Sequence, residues 1–318
     1  MKGMKSMHIY KQLLLVSLLV CSAGFELSAL GSREQQEPVV DLSKAPLYVR
    51  KDFSENRINE VPEPTDPEWE YFAPSETEGR AVRLPDLQMK DIPKRVFLDP
   101  AALKDREFTY LIPFDLHTDI DTIPGLYFSA LGDNWAIYLN GTLLRSETHL
   151  DKEGQIQEHR NWRDVYFPVD PALLKSGRNI LALHIIGDPS LSPTGMYYAG
   201  PYKLDYYEKI AHDHSAIIEV SLSAIYIFAG LYYLFIFLMH RRDRYNLFYA
   251  LFSMTLGLYL FVRTQIIYLF IPDGVLVMRI EFALIFMVIP IVAAFIESLT
   301  EDRIRPATYV YGAFCLLL

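Results

Sequence analysis

Trp135, Arg160 and Trp162 are the residues of this sequence best suited to hold a small polar ligand. An aromatic face stacks on a sugar ring, and a guanidinium forks to a hydroxyl or a carboxylate. Trp135 borders a hairpin signal, and the default fate of such an aromatic is burial. Arg160 and Trp162 therefore carry more of this expectation than Trp135. A second set, Arg263, Glu281, Glu219 and Arg279, lies in long apolar runs. An ionisable group in hydrocarbon is costly unless it is paired or faces water. Folding the chain at Asp273 leaves Arg263 about nine residues before the turn and Glu281 about eight after it, and at about 1.5 Å per residue the two share one depth. An Arg263–Glu281 pair is predicted, joined by Glu219 and Arg279. Its role is either registry between helices or a polar switch that senses an outer domain.

Other chemistry is thinly represented. His212-Asp213-His214 offers two metal ligands without partners, and it reads as a polar linker. No metal or other cofactor is expected. Glycoside hydrolysis needs two carboxylates placed across a sugar, and no such pair stands out among the acidic residues. No catalytic domain is read in this segment. The two cysteines, Cys21 and Cys315, sit in apolar stretches, so the polar region has no disulfide or thiolate metal site. The formal charge of −9 falls mostly between residues 32 and 213. That argues against a nucleic-acid partner, which requires a basic face, and against a basic membrane-surface patch.

The elements around these residues divide the chain. Lys2, Lys5 and Lys11 precede the apolar run Leu13 to Val20, and small residues follow from Ser22 to Gly31. That order is a secretory signal over residues 1–31, too short for a comfortable span. Val20 is too large for a lipidation box at Cys21. After a linker at 32–40, residues 41–209 read as short strands separated by turns. Trp135 to Leu139, Asn140-Gly141 and Thr142 to Leu144 form the strongest hairpin signal, since both turn residues accept positive φ. Asn140-Gly141-Thr142 is also a glycosylation sequon. Asn179 to Ile186 reads as a buried strand. Residues 210–318 are membrane helix, with spans at about 215–239, 246–271, 275–299 and an incomplete one at 307–318. Arg241, Arg242 and Arg244 mark the loop after the first span as cytoplasmic, which puts the strand-rich region outside. The half-length last span indicates a chain cut off before any output domain. The fold class is therefore a multidomain membrane protein: an all-β jelly-roll sandwich followed by a truncated transmembrane α-helical bundle.

Gly125 to Gly141 resembles the central hairpin of galactose-binding-like jelly rolls, and Leu174 to Leu183 and Gly200-Pro201-Tyr202 follow that pattern in the same order. The domain order, with the run Arg241 to Phe252, resembles the bacterial seven-transmembrane receptors with diverse intracellular signalling modules. The resemblance implies an inner-membrane, multi-pass receptor, with a sensor domain outside that binds a small or carbohydrate-like ligand. It further implies a cytoplasmic cyclase, phosphatase or kinase beyond Leu318. Membrane lipid is an expected partner, and a homodimer is left open. The rival classes are a membrane-anchored enzyme or assembly protein that recognises glycan, and a transporter.

Overall fold

The computed structural model describes residues 37–74, 82–83, 107–117, 122–187, 194–197, 200–300 and 304–317. The signal segment at 1–31 lies outside the described residues. The strands are β1 (Val40–Asp41), β2 (Leu47–Lys51), β3 (Glu70–Phe72), β4 (Val82–Arg83), β5 (Glu107–Leu116) and β6 (Pro124–Leu131). They continue with β7 (Asn134–Leu139), β8 (Thr142–Glu147), β9 (Trp162–Pro168), β10 (Gly177–Ile186), β11 (Gly195–Met196) and β12 (Tyr202–Tyr206). A four-stranded sheet runs β1-β12-β6-β9, a six-stranded sheet β3-β2-β5-β10-β7-β8, and β4 pairs with β11. Every pairing is antiparallel.

Side chains alternate across a strand, and the two large sheets bury one face each against the other. Tyr110, Ile112 and Phe114 of β5, Leu126 and Phe128 of β6, and Leu181, Leu183 and Ile185 of β10 meet in one core. Trp135 lies in the same core and is fully buried, its indole N–H donating to the Arg160 carbonyl at 2.9 Å. The opposite face of the six-stranded sheet is also covered. Tyr48, Leu111, Ile180 and Ala182 pack there with Ile58 and Trp69. The β7–β8 turn has φ of 51° at Asn140 and 84° at Gly141, the positive values a tight hairpin of matching twist needs.

Five helices follow: α1 (Tyr207–Asp213), α2 (Ile217–Met239), α3 (Arg244–Val262), α4 (Gly274–Thr300) and α5 (Pro306–Leu317). Among the described residues, three stretches are long and apolar enough to cross a membrane: Tyr207–Met239, Arg244–Val262 and Gly274–Thr300. Two antiparallel sheets followed by apolar helices are the architecture expected from the sequence. One boundary differs. The second long helix ends at Val262, not near residue 271, and Gln265–Leu269 forms a separate 3-10 turn. After Arg263, Ile267 and Ile271 pack against the helices, and Tyr268 stacks on Trp162 of the sandwich. Hydropathy alone does not distinguish that from lipid contact.

α2 and α3 approach closely through small residues. A Cβ on Gly257 would lie 2.9 Å from the Ser223 carbonyl oxygen and one on Gly230 3.0 Å from that of Ala250. Ser223 Oγ donates to the Gly257 carbonyl at 2.8 Å and Ser253 Oγ to that of Tyr226 at 2.7 Å. Such contacts hold helices together where lipid removes the hydrophobic drive.

Candidate functional site

The sandwich meets the helices at two seams, both on one side of the four-stranded sheet. The first is the covalent connector. β12 runs directly into α1, which lies on the outer face of β6. Gly125 permits that approach, because a Cβ there would meet Tyr207 Cα at 3.0 Å and Ile210 Cδ1 at 3.2 Å. His214, between α1 and α2, stacks on Tyr127 with centroids 3.7 Å apart and planes at 17°. The Tyr127 hydroxyl donates to Asp164 Oδ1 at 2.7 Å, and His214 Nδ1 lies 3.9 Å from the same oxygen. Burial, then the adjacent Asp164 carboxylate, pushes the Tyr127 hydroxyl far above its usual range. Burial, then the Lys203 ammonium, holds His214 below its usual value. The connector therefore has a neutral imidazole on a neutral phenol.

The second seam has no chain continuity. It joins β9 and the segment before it to the 3-10 turn and the start of α4. Asp273 caps α4, its Oδ1 accepting from the Leu276 N–H at 2.8 Å. Its other carboxylate oxygen accepts from the His159 N–H at 3.3 Å. The Gly274 N–H donates to the His159 carbonyl at 2.7 Å. A Cβ on Gly274 would come within 2.5 Å of the Asn161 carbonyl oxygen, so only glycine allows the two backbones so near. Trp162 Nε1 donates to the Pro272 carbonyl at 2.9 Å, and its ring stacks on Tyr268 at 5.3 Å and 19°. Gln265 Nε2 donates to the Tyr166 hydroxyl at 3.1 Å. Burial pushes the Tyr268 hydroxyl up to about 12.

Charge closes this seam from below. Arg163 Nη2 donates to Glu281 Oε2 at 2.8 Å. Arg263 Nε lies 3.7 Å from the other oxygen, Oε1. Arg263 also donates to the Tyr259 hydroxyl at 3.2 Å. Glu219 and Arg279, expected beside this pair, are exposed, and neither forms an ion pair within 4.0 Å among the described residues. The reason is angular for Arg279, since positions two apart on a helix do not face each other. Glu219 sits in the first turn of α2. Arg163 was not legible as a partner, because residue counting along two helices says nothing of a sheet standing over them.

The ligand-type residues converge on the same seam. Arg160 is buried, pairs with Glu158 at 2.5 Å, and lies 5.3 Å from the Trp162 ring. Arg145 lies 5.6 Å from the rings of both Trp135 and Trp162. Trp162 thus shares its aromatic surface with Arg145, Arg160 and Tyr268. Elsewhere, a groove of about 570 Å³ is lined by Val49 to Lys51 and Pro67 to Glu70. Arg50 lies 5.9 Å over Trp69 there and is paired with Asp52 and Glu68. No cluster of three metal-ligating side chains occurs among the described residues.

This architecture defines a multi-pass membrane protein with a β-sandwich seated on one end of its helices. Residues 215–318 match the family model described as 7TM diverse intracellular signalling. Solved structures similar to the chain include glycosidases. A glycosyl hydrolase family 2 member from Bacteroides cellulosilyticus aligns at 14% identity over 49% of this chain and 19% of its own, with a TM-score of 0.31. A β-glycosidase from Bacteroides vulgatus aligns at 13% identity over 53% and 20%, with a TM-score of 0.34. β-Glucuronidase 2 of Bacteroides uniformis aligns at 13% identity over 46% and 14%, with a TM-score of 0.31. The aligned region thus spans about a fifth or less of those chains. No curated protein matches the sequence.

Proposed function

We propose that this chain is the sensor and membrane portion of a bacterial signal-transduction receptor in the inner membrane. The sandwich faces outward and binds a small or carbohydrate-like ligand, and the helices relay that event to a cytoplasmic cyclase, phosphatase or kinase. The observation that carries this reading is the second seam, where a water-facing sheet is seated on the loop between two apolar helices. A ligand signals only by binding two states of a receptor unequally, and such a seam provides two states, seated and lifted. A sugar stacking on Trp162 would compete with Tyr268 for the ring and so favour the lifted state. Arg160 and Arg145 are placed to fork to its hydroxyls or carboxylate, and Trp135 supports the cluster from the core.

The charge distribution supports the orientation. By connectivity the turn at Arg241–Asp243 and the segment around Arg305 lie at the end away from the sandwich, and positive loops favour the cytoplasm. Two measurements test the reading. Single cysteines replacing Ser146 and Arg242, each in a chain lacking Cys21 and Cys315, are treated in whole cells with an impermeant maleimide. The Ser146 position should label and the Arg242 position should label only after lysis; the reverse would sink the orientation. Thermal shift of the full chain in detergent with a panel of neutral and uronic monosaccharides should raise the midpoint with at least one sugar, and Trp162→Ala should abolish that rise. A flat response across the panel sinks the ligand class.

A further inference from the structure

We propose that Glu281 is an anion exchanged between two arginines: seated, the sandwich holds it through Arg163; lifted, it passes to Arg263 at the end of α3. This deepens the receptor reading and rests on it. The two carboxylate oxygens already address different cations. Oε2 takes the hydrogen bond from Arg163 at 2.8 Å, while Arg263 waits 3.7 Å from Oε1, beyond hydrogen-bonding range. Glu281 is shielded, with 14% of its side chain exposed, whereas Arg263 has 55% exposed. Its hydrogen bond to Tyr259 keeps the guanidinium near, on the same helix.

The physical consequence is a balance between two arrangements. Glu281 lies two turns inside an apolar helix. An anion left there without a cation is strongly unfavourable. If Arg163 were its sole partner, lifting the sandwich would orphan the charge and the seam would be permanent. With Arg263 within about an ångström of a direct bond, the lifted state keeps a satisfied carboxylate. α3 and α4 pack side by side, so neither needs to unfold for the exchange. A modest ligand preference then decides the state, which is what a sensor requires. Each state has its own arginine, and the two roles are separable by substitution.

The test is hydrogen exchange of the Gln265–Leu269 amides in the full chain in lipid nanodiscs, with the β10 amides as the internal measure of sandwich integrity. Arg163→Gln should speed exchange of the turn by roughly tenfold while β10 is unchanged. Arg163→Lys should restore part of the protection. Arg263→Gln should leave the turn as protected as wild type, or slow it further, because the competing partner is gone. If Arg263→Gln speeds exchange as much as Arg163→Gln, the three charges form a static brace and the exchange is wrong. If neither substitution changes the turn, the charges do not control the seam and the proposal also fails. This readout uses no ligand and no effector, so a seam that behaves as described beside a flat sugar panel would sink the ligand reading alone.

Discussion

The two seams between sandwich and helices are built on opposite logic. The connector is continuous chain, and its contacts are broad: α1 lies along β6, with Gly125 clearing the way and Ile210 buried against the sheet. The second seam is made of point contacts. One indole N–H, one stacked ring pair, one helix-capping aspartate, one glycine amide, the Gln265–Tyr166 hydrogen bond and one ion pair are among the contacts that hold it. Breaking the connector means severing or unfolding the chain. Breaking the second seam exposes a few groups that water or Arg263 can satisfy. Stability is low where few apolar contacts close an interface, so movement is expected at the second seam while the first acts as a pivot.

That contrast can be attacked by substitution. The largest effect should come from Gly274→Val, which forces bulk between two backbones already in contact. It should unseat the sandwich at a cost of about 3 kcal/mol or more, read as lost protection in Gln265–Leu269 with the β10 amides unchanged. If β10 exchange also rises, the sandwich depends on the seam and the two regions are not independent. Trp162→Ala removes the stack and the bond to Pro272 together and should cost the seam about 2–3 kcal/mol, measured the same way. Trp135→Phe belongs to the other side of the comparison. It removes one of two hydrogen bonds to the Arg160 carbonyl, the other coming from the Trp162 N–H at 3.0 Å, and should lower sandwich stability by about 1 kcal/mol, seen in β10 exchange before any change in the turn.

Acid sharpens the distinction further. Burial lowers His214 in the folded protein below the 6.5 of a free imidazole. Between those two values the unfolded connector binds more protons than the folded one, so its stability rises with pH. It is lost as pH falls from 6.5 through the lowered folded value. Protonated, His214 would face the Lys203 ammonium, with Asp164 and Asp213 offsetting part of the repulsion. Exchange of the residues around Ile210 to Ser215, corrected for intrinsic rate, should therefore quicken from about pH 7.5 to about pH 5.5. His214→Phe should flatten that profile, and a profile unchanged by the substitution would move the pH response elsewhere. The smallest effects belong to Glu219→Gln and Arg279→Gln, both exposed, each expected within about 0.5 kcal/mol of wild type in thermal midpoint.

What the sequence revealed follows from where the information is local. The β7–β8 hairpin was legible because Asn140-Gly141 demands positive φ, a property of two adjacent residues. The membrane helices were legible because length and apolarity suffice. β5 was harder: it is buried on both faces, so it shows little alternation, and it contains Pro113. The second seam was invisible for a different reason. Trp162 and Pro272 are 110 residues apart, and Arg163 and Glu281 are 118 apart. The need of Glu281 for a cation could be read from hydrocarbon energetics. That a strand of the sandwich would supply one required knowing which sheet face meets the helices.

The asparagine of the β7–β8 turn sets a limit on chemical modification. Asn140 Nδ2 spends both hydrogens inside the domain, one on the Leu173 carbonyl at 2.8 Å and one on Asn179 Oδ1 at 2.9 Å, while its Oδ1 receives the Ile180 N–H at 3.0 Å. Attaching an oligosaccharide replaces one of those hydrogens and must push the turn out of the sheet. A folded molecule passing through a glycosylating compartment would therefore keep Asn140 bare, despite the acceptor triplet it heads.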